Sequence, residues 1–273
     1  MVVDTILVSL VSSGAVSWLY YANRLQQLPL GVIGAAISVA LLPLLSKKLK
    51  ANEIDEAKTT QDKAIFYGII MSLPSAIIFI CLADSLIQLL FEHGKFTSSD
   101  TINTANALKA YAIGLPAYVM VKALTPNFFA RGDTITPVKY SVIVFISNLT
   151  LNLILMKPFG HTGIAIATSI SAFVSLYQYI HGLKKRNHWK FSPQLIKQIK
   201  NVSICSLIMG ITIYLTKYLL NYYLATNNIG FLILKLSIIG IIGLATFLIS
   251  AKITGTIDIT SIIRTILSRR KKA

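Results

Sequence analysis

The sequence predicts an all-α polytopic membrane protein, and three observations predict it. Hydrophobic residues make up 54% of the 273 positions and charged residues only 13%, about half the charge a soluble domain uses to cover its surface. The mean hydropathy is +0.67. Apolar runs long enough to cross a bilayer as helices recur along the whole chain, separated by short connectors.

The runs fall in order at 16–45, 64–90, 104–124, 138–156, 162–182, 199–220 and 229–251, which gives seven full spans. The first is long and contains Pro29, which predicts an irregularity, because proline removes a helix hydrogen bond. An eighth apolar stretch, residues 1–11, is too short to cross. It has no Lys or Arg before Arg24 and it carries Asp4, so it lacks the basic start of a signal peptide. It reads as the tail of a truncated helix. Residues 84–91 read as a short amphipathic extension at the outer interface.

Basic residues fix an expected orientation. There are 26 Lys and Arg against 10 Asp and Glu, a formal charge of +16. In a soluble chain that excess would suggest nucleic acid; here it sits in the connectors between spans. The connector at 46–63 holds five basic residues and the next, 91–103, holds one; 125–139 holds two and 157–161 one; 183–200 holds six, 221–228 none, and the tail from 252 holds six. Rich and poor connectors alternate, so the rich side is expected to be cytoplasmic, with both chain ends on that side.

No enzyme signature is present. The chain has no phosphate-binding glycine loop, no His-Glu-x-x-His and no paired carboxylates within a span. Cys81 and Cys205 lie in separate runs, and the histidines at 93, 161, 181 and 188 are scattered, so no metal-ligand spacing exists. No cofactor is expected, and neither is nucleic acid.

Charge at bilayer depth is expensive and marks function by default. Arg24 is the strongest case. If its helix enters near residue 15, nine residues place it roughly 13 Å deep in a hydrocarbon core about 30 Å thick. Tyr20, Arg24, Gln27 and Gly31 share one face at i, i+4, i+7 and i+11, and Asn23 and Gln27 flank the arginine. Small residues Gly31, Ala35 and Ser38 continue this stripe and allow close helix approach. A fixed cation with no acidic neighbour in sequence reads as an anion site on an aqueous cavity; the alternative is a structural arginine paired with a distant carboxylate or helix-end carbonyls. Lys109 and Lys122 each read either as cavity residues or as lysines snorkelling to an interface. Asn148 and Asn152, four apart, suggest interhelical hydrogen bonding. Lys217 and Lys235 read as interfacial, and His161 as a solvated residue at the start of a span.

Several runs then resemble one family. Tyr20-Tyr21-Ala22-Asn23-Arg24-Leu25 with Leu28-Pro29-Leu30-Gly31 resembles a hallmark of the MurJ/MviN-type lipid II flippases, within the multidrug/oligosaccharidyl-lipid/polysaccharide exporter superfamily. Leu41-Leu42-Pro43, Leu45-Ser46-Lys47, Gly94-Lys95-Phe96-Thr97, Val121-Lys122 with Pro126, Phe129-Ala130-Arg131, Asp133-Thr134 and Thr136-Pro137 follow in the same order. The likeness is specific up to about residue 170; the last two spans match in hydropathy and position.

The resemblance implies a fourteen-helix fold of two six-helix lobes plus two extra C-terminal helices. This chain would supply the second lobe at 1–183, a basic cytoplasmic connector at 184–198, the two additional helices at 199–251 and a basic cytoplasmic tail at 252–273. It implies lipid II as substrate, a headgroup site at Arg24, Asn23, Gln27 and Tyr20, and a place in the bacterial inner membrane. Family members commonly carry an acid at the position of Asn23, and some at that of Gln27; both are neutral amides here. A separately encoded N-terminal lobe is the expected partner. The alternatives are a drug or polysaccharide exporter of the same superfamily and a non-transporting structural subunit.

Overall fold

The structure, a computed structural model, describes residues 7–8, 14–223 and 229–256. Most of the short apolar stretch at 1–11 with Asp4, the connector at 224–228 and the tail from 257 lie outside the described residues. Every regular element among the described residues is helical. Six helices are long and apolar enough to cross a membrane, which makes this a multi-pass membrane protein. The chain divides into two compact units, 1–195 and 196–273.

The first unit opens with α1 (Ala15–Pro29), which runs through a π-helical turn at Leu30–Gly34 into α2 (Ala35–Lys50). The irregularity expected at Pro29 takes this form. Proline cannot donate a backbone hydrogen bond, and the amide of Leu30 is shared between the carbonyls of Gln26 and Gln27. Widening the turn satisfies backbone groups that a proline displaces. Next come α3 (Ile54–Phe91) and α4 (Ser98–Phe129). Residues 84–91 continue α3 without a break and form no separate surface helix.

The N-terminus of α4 is capped by Thr97, whose hydroxyl accepts from the Asp100 amide while the Asp100 carboxylate accepts from the Thr97 amide. That reciprocal cap satisfies two amides that a helix start leaves open. Asp100 also accepts from Trp18 Nε1 at 2.7 Å, which ties the start of α1 to the start of α4.

α4 is the centre of this unit: 67% of its most apolar stretch is buried inside the protein, against 6% for the following helix. Its buried face is built of small residues, among them Ala105, Ala107, Ala112, Gly114 and Ala117. Lipid tails are as apolar as leucine, so close backbone packing, not hydropathy, selects the inner helix.

The following element, α5 (Ile135–Lys185), is 51 residues long but is not one rod. Gly160 adopts φ 56° and ψ −135°, a conformation natural to glycine alone. There the chain doubles back. Asn148 Nδ2 reaches Thr168 Oγ1 at 3.4 Å, whereas twenty residues of straight helix would span about 30 Å. The two arms correspond to the separate runs at 138–156 and 162–182.

The second unit holds most of α6 (Pro193–Tyr223) and all of α7 (Ile229–Ile253). These helices meet closely at Gly243, where an added methyl would lie 2.8 Å from Ile213 Cγ1. At one end Asn201 Nδ2 donates to the Thr254 carbonyl at 3.3 Å.

Candidate functional site

The face of α1 that carries Tyr20, Asn23 and Gln27 borders a cavity of about 570 Å³ within the first unit. That volume lies in the range of sites for small molecules or parts of larger ligands. α1 is held at this cavity by Gln26, which is 3% exposed and donates to the Tyr111 carbonyl of α4 at 3.0 Å. A buried amide with a satisfied donor fixes helix rotation, because turning α1 would strand it. The opposite wall comes from Tyr111 and Tyr118 on α4 and from both arms of α5, including Asn148, Thr168, Ser171 and Ser175. Tyr118 donates to the Thr168 carbonyl at 2.9 Å, and Asn152 Nδ2 donates to Asn148 Oδ1 at 3.0 Å. Asn148 thus joins the two arms of α5, and Asn152 steadies it from the same arm. The described lining mixes apolar residues, Val16, Leu19, Leu30, Val144 and Phe145 among them, with neutral polar ones, and it carries no charged side chain.

Arg24 stands at the flank of this cavity, not on its lining. Successive helical residues turn by about 100°, so Arg24 lies on the outward side of Tyr20 while Gln27 and Asn23 lie on the cavity side. Its side chain is exposed, and its guanidinium carbon sits 4.9 Å from the centre of the Tyr20 ring. That is cation–π distance. The ring limits the paths open to a long, flexible cation and keeps it presented at the open face. Among the described residues the ion pairs involve other cations, and no carboxylate reaches Arg24. Gln27 Nε2 donates to Asn23 Oδ1, so these two amides partner each other beside the arginine. The arrangement leaves an exposed positive group next to a cavity whose polar members are all neutral.

The two lysines lie elsewhere. Lys109 is paired with Asp84, Nζ to Oδ2 at 2.8 Å, and borders a different pocket. The distance in sequence hid that partner. Lys122 is exposed, and its stem crosses α1–α2 at Gly34, where an added methyl would sit 2.5 Å from Lys122 Cδ. Ser38 Oγ donates to the Lys122 carbonyl at 2.8 Å. Gly34 therefore makes the gap through which Lys122 emerges. His161, expected to be solvated, is half-buried. Its Nε2 lies 3.0 Å from the Asn103 carbonyl and its ring 4.9 Å from that of Trp18. The turn at Gly160 folds it back onto α1 and α4. Gln26, Tyr118, Thr168, Ser171 and Ser175 were not singled out by sequence; Gln26 alone carried a signal, as an amide within an apolar run.

On the other side of the unit a second polar group fastens the helix ends. Gln61 donates to the Ala123 carbonyl at 2.9 Å and accepts from Asn127, which in turn accepts from Arg131 Nε at 3.1 Å. Asp133 accepts from the Thr136 amide at 3.0 Å and from Arg186. These bonds, with Thr136 first, hold the Asp133 carboxyl down at about 2. Trp189 is 1% exposed and donates to Asp62 at 2.7 Å. Burial first, then the positive charges of Arg131 and Arg186, push the nearby His188 imidazole below its ordinary value.

Comparison with known proteins bears on this geometry. A family model described as lipid II flippase MurJ matches residues 1–235. A probable lipid II flippase MurJ from Rickettsia prowazekii (strain Madrid E) is 39% identical over 237 residues, covering 86% of this chain and 46% of the relative. One from Rhizobium tropici is 32% identical over 263 residues, covering 95% and 49%. The chain thus spans about half the length of the curated relatives it matches. Among solved structures, an outward-facing multidrug resistance MATE family transporter of the MOP superfamily superposes with a TM-score of 0.60 at 18% identity, covering 91% of this chain and 58% of that one. The crystal structure of MATE in the bent conformation also gives 0.60, at 19% identity, covering 90% and 58%. Those two likenesses show a shared fold, while the family-model match across residues 1–235 places this chain in the lipid II flippase MurJ family.

Proposed function

We propose that this chain is the second lobe and the two extra helices of a lipid II flippase. In this reading it moves the lipid-linked peptidoglycan precursor across the bacterial cytoplasmic membrane by alternating access. The observation that carries it is Arg24: exposed, free of any described carboxylate and held over Tyr20 beside an uncharged cavity of mixed apolar and polar lining. A guanidinium offers a planar fork of donors that fits two oxygens of a pyrophosphate. Asn23 and Gln27 add amide donors without a competing negative charge. The tyrosine, serine and asparagine hydroxyls and amides of the cavity suit the hydroxyls of the sugars. Lys122 of α4, emerging past Gly34, is a second cation beside α1 and α2.

Each arm of α5 crosses the membrane in this account, which makes seven crossings with the basic connectors and both chain ends cytoplasmic. A first lobe, in the same or a separate polypeptide, faces the open side of α1 and α2, where Tyr20, Leu28, Val32 and Val39 are 53–75% exposed. Two lobes rocking about a mid-membrane site is the general mode of such transporters.

The test uses cells depleted of their own flippase. Co-expression of this chain with a first lobe of six or seven spans should restore outward flipping of lipid II, and Arg24→Ala should abolish it while membrane insertion persists. Flipping by the chain alone in liposomes, or full flipping by Arg24→Ala, would overturn the reading.

A further inference from the structure

Lys109 lines a second pocket, apart from the cavity beside Tyr20, and is paired there with Asp84. Lys109 Nζ lies 2.8 Å from Asp84 Oδ2 and 3.0 Å from Oδ1, and the two side chains are 34% and 43% exposed. The pocket encloses about 420 Å³. Its walls are Ile80, Ile113, Phe159 and Ile166, with Asn106 and Thr162 as polar members. Ile113 and Phe159 are each 55% exposed, so the pocket opens outward from the helix bundle. Asp84 lies seven residues before the end of α3, and Lys109 eleven residues after the start of α4. At 1.5 Å per residue the pair sits roughly 10–16 Å from the helix ends, near the level where headgroups give way to acyl chains.

A half-bare ion pair at that depth is costly against hydrocarbon. What covers it well is a molecule with both charges close together and an apolar tail. We propose that this pocket binds a zwitterionic phospholipid with a primary-amine headgroup, of the phosphatidylethanolamine class. Its phosphate meets Lys109 and its ammonium meets Asp84, while an acyl chain packs along Ile113, Phe159 and Ile166. Charge complementarity selects this occupant. A phosphatidylglycerol headgroup satisfies Lys109 but offers Asp84 only neutral hydroxyls and no positive charge. A phosphatidylcholine headgroup has the positive charge but no N–H to donate to a carboxylate. The site is independent of the lipid II reading and survives if that reading fails.

The test is native mass spectrometry of the full chain in detergent, titrated with phosphatidylethanolamine, phosphatidylglycerol or phosphatidylcholine of matched acyl chains. The amine lipid should bind about tenfold more tightly than the other two, the scale of one charge-assisted hydrogen bond. Asp84→Asn should remove that preference. Ile113→Trp, which fills the pocket and leaves the pair intact, should weaken binding of the amine lipid by about the same factor without changing the thermal unfolding of the lipid-free protein. Equal binding of all three lipids, or a preference for the glycerol headgroup, would overturn the proposal. If Asp84→Asn does not fold, Ile113→Trp decides alone: unchanged binding in that variant refutes the site.

Discussion

Gly163→Ala should break the hairpin of α5 at its tightest point. Gly163 is buried three residues past the turn at Gly160. A methyl group there would lie 2.6 Å from the carbonyl carbon of Leu155, closer still to its oxygen, and 3.2 Å from the amide nitrogen of Met156. All three are backbone atoms, so no rotamer change relieves the contact. Relieving the carbonyl-carbon contact alone, from 2.6 Å to an ordinary 3.4 Å, needs about 0.8 Å of separation between the arms, and the closer oxygen needs more. The Asn148–Thr168 bond between those arms is already 3.4 Å long and would be lost. Overpacking of this kind costs about 1–3 kcal/mol, and the bond about 0.5–1.5 kcal/mol more. The expected loss is therefore about 1.5–4.5 kcal/mol, read as a lowered unfolding temperature in detergent and a lowered membrane yield. Gly31→Ala is the control, because nothing lies within 4 Å of the added methyl. It should change stability by no more than about 1 kcal/mol. A Gly163→Ala protein as stable as the parent, or a Gly31→Ala protein equally damaged, would refute the packed hairpin.

Trp189→Ala should cost about 3–5 kcal/mol, because the side chain is 1% exposed and its Nε1 is bonded to Asp62; Trp189→Phe should lose less, and thermal unfolding of both variants measures the difference. Asp133, held at about 2 against an ordinary 3.8, contributes stability that is present above about pH 4 and fades as pH falls toward 2. The stability gap between parent and Asp133→Asn should accordingly narrow across that window in unfolding scans, and a gap that widened on acidification would contradict the sign. Single cysteines placed in 46–63 or 183–198, with Cys81 and Cys205 replaced by Ser, should resist a membrane-impermeant thiol reagent in intact cells. Ready labelling of both loops would reverse the orientation.

Much of the helix order was legible because apolar runs and their breaks are local. The short interval at 157–161 marked two spans, and Gly160 is where the chain turns between them. Pro29 marked the irregularity of the first helix, though not that its outcome is a π-helical turn. Partners were not legible. Trp18 with Asp100, Gln26 with Tyr111, Asp84 with Lys109 and Asp62 with Trp189 join positions 25 to 127 residues apart. No spacing rule announces such pairs. The central place of α4 was hidden for a physical reason: in lipid, apolar surface is cheap on either side of a helix, so hydropathy does not separate inward from outward faces. Tyr20, Asn23 and Gln27 reach the cavity, while Arg24 turns to the open flank because Tyr20 lies between.

Arg24 is where the account is most exposed to test. Binding of lipid II to the chain assembled with a first lobe should be measured for the parent, Arg24→Lys, Arg24→Ala and Tyr20→Leu. Bidentate recognition predicts that Ala loses binding by about a hundredfold, on the scale of a charged hydrogen-bond pair. Lys should recover little of this, since a compact ammonium lacks the fork. Tyr20→Leu should weaken binding by several-fold through the lost cation–π contact, and Tyr20→Phe should restore it. If Lys binds as tightly as Arg, charge alone suffices and the fork is wrong. If Ala binds as tightly as the parent, Arg24 is not the anion site, and the central claim falls with it.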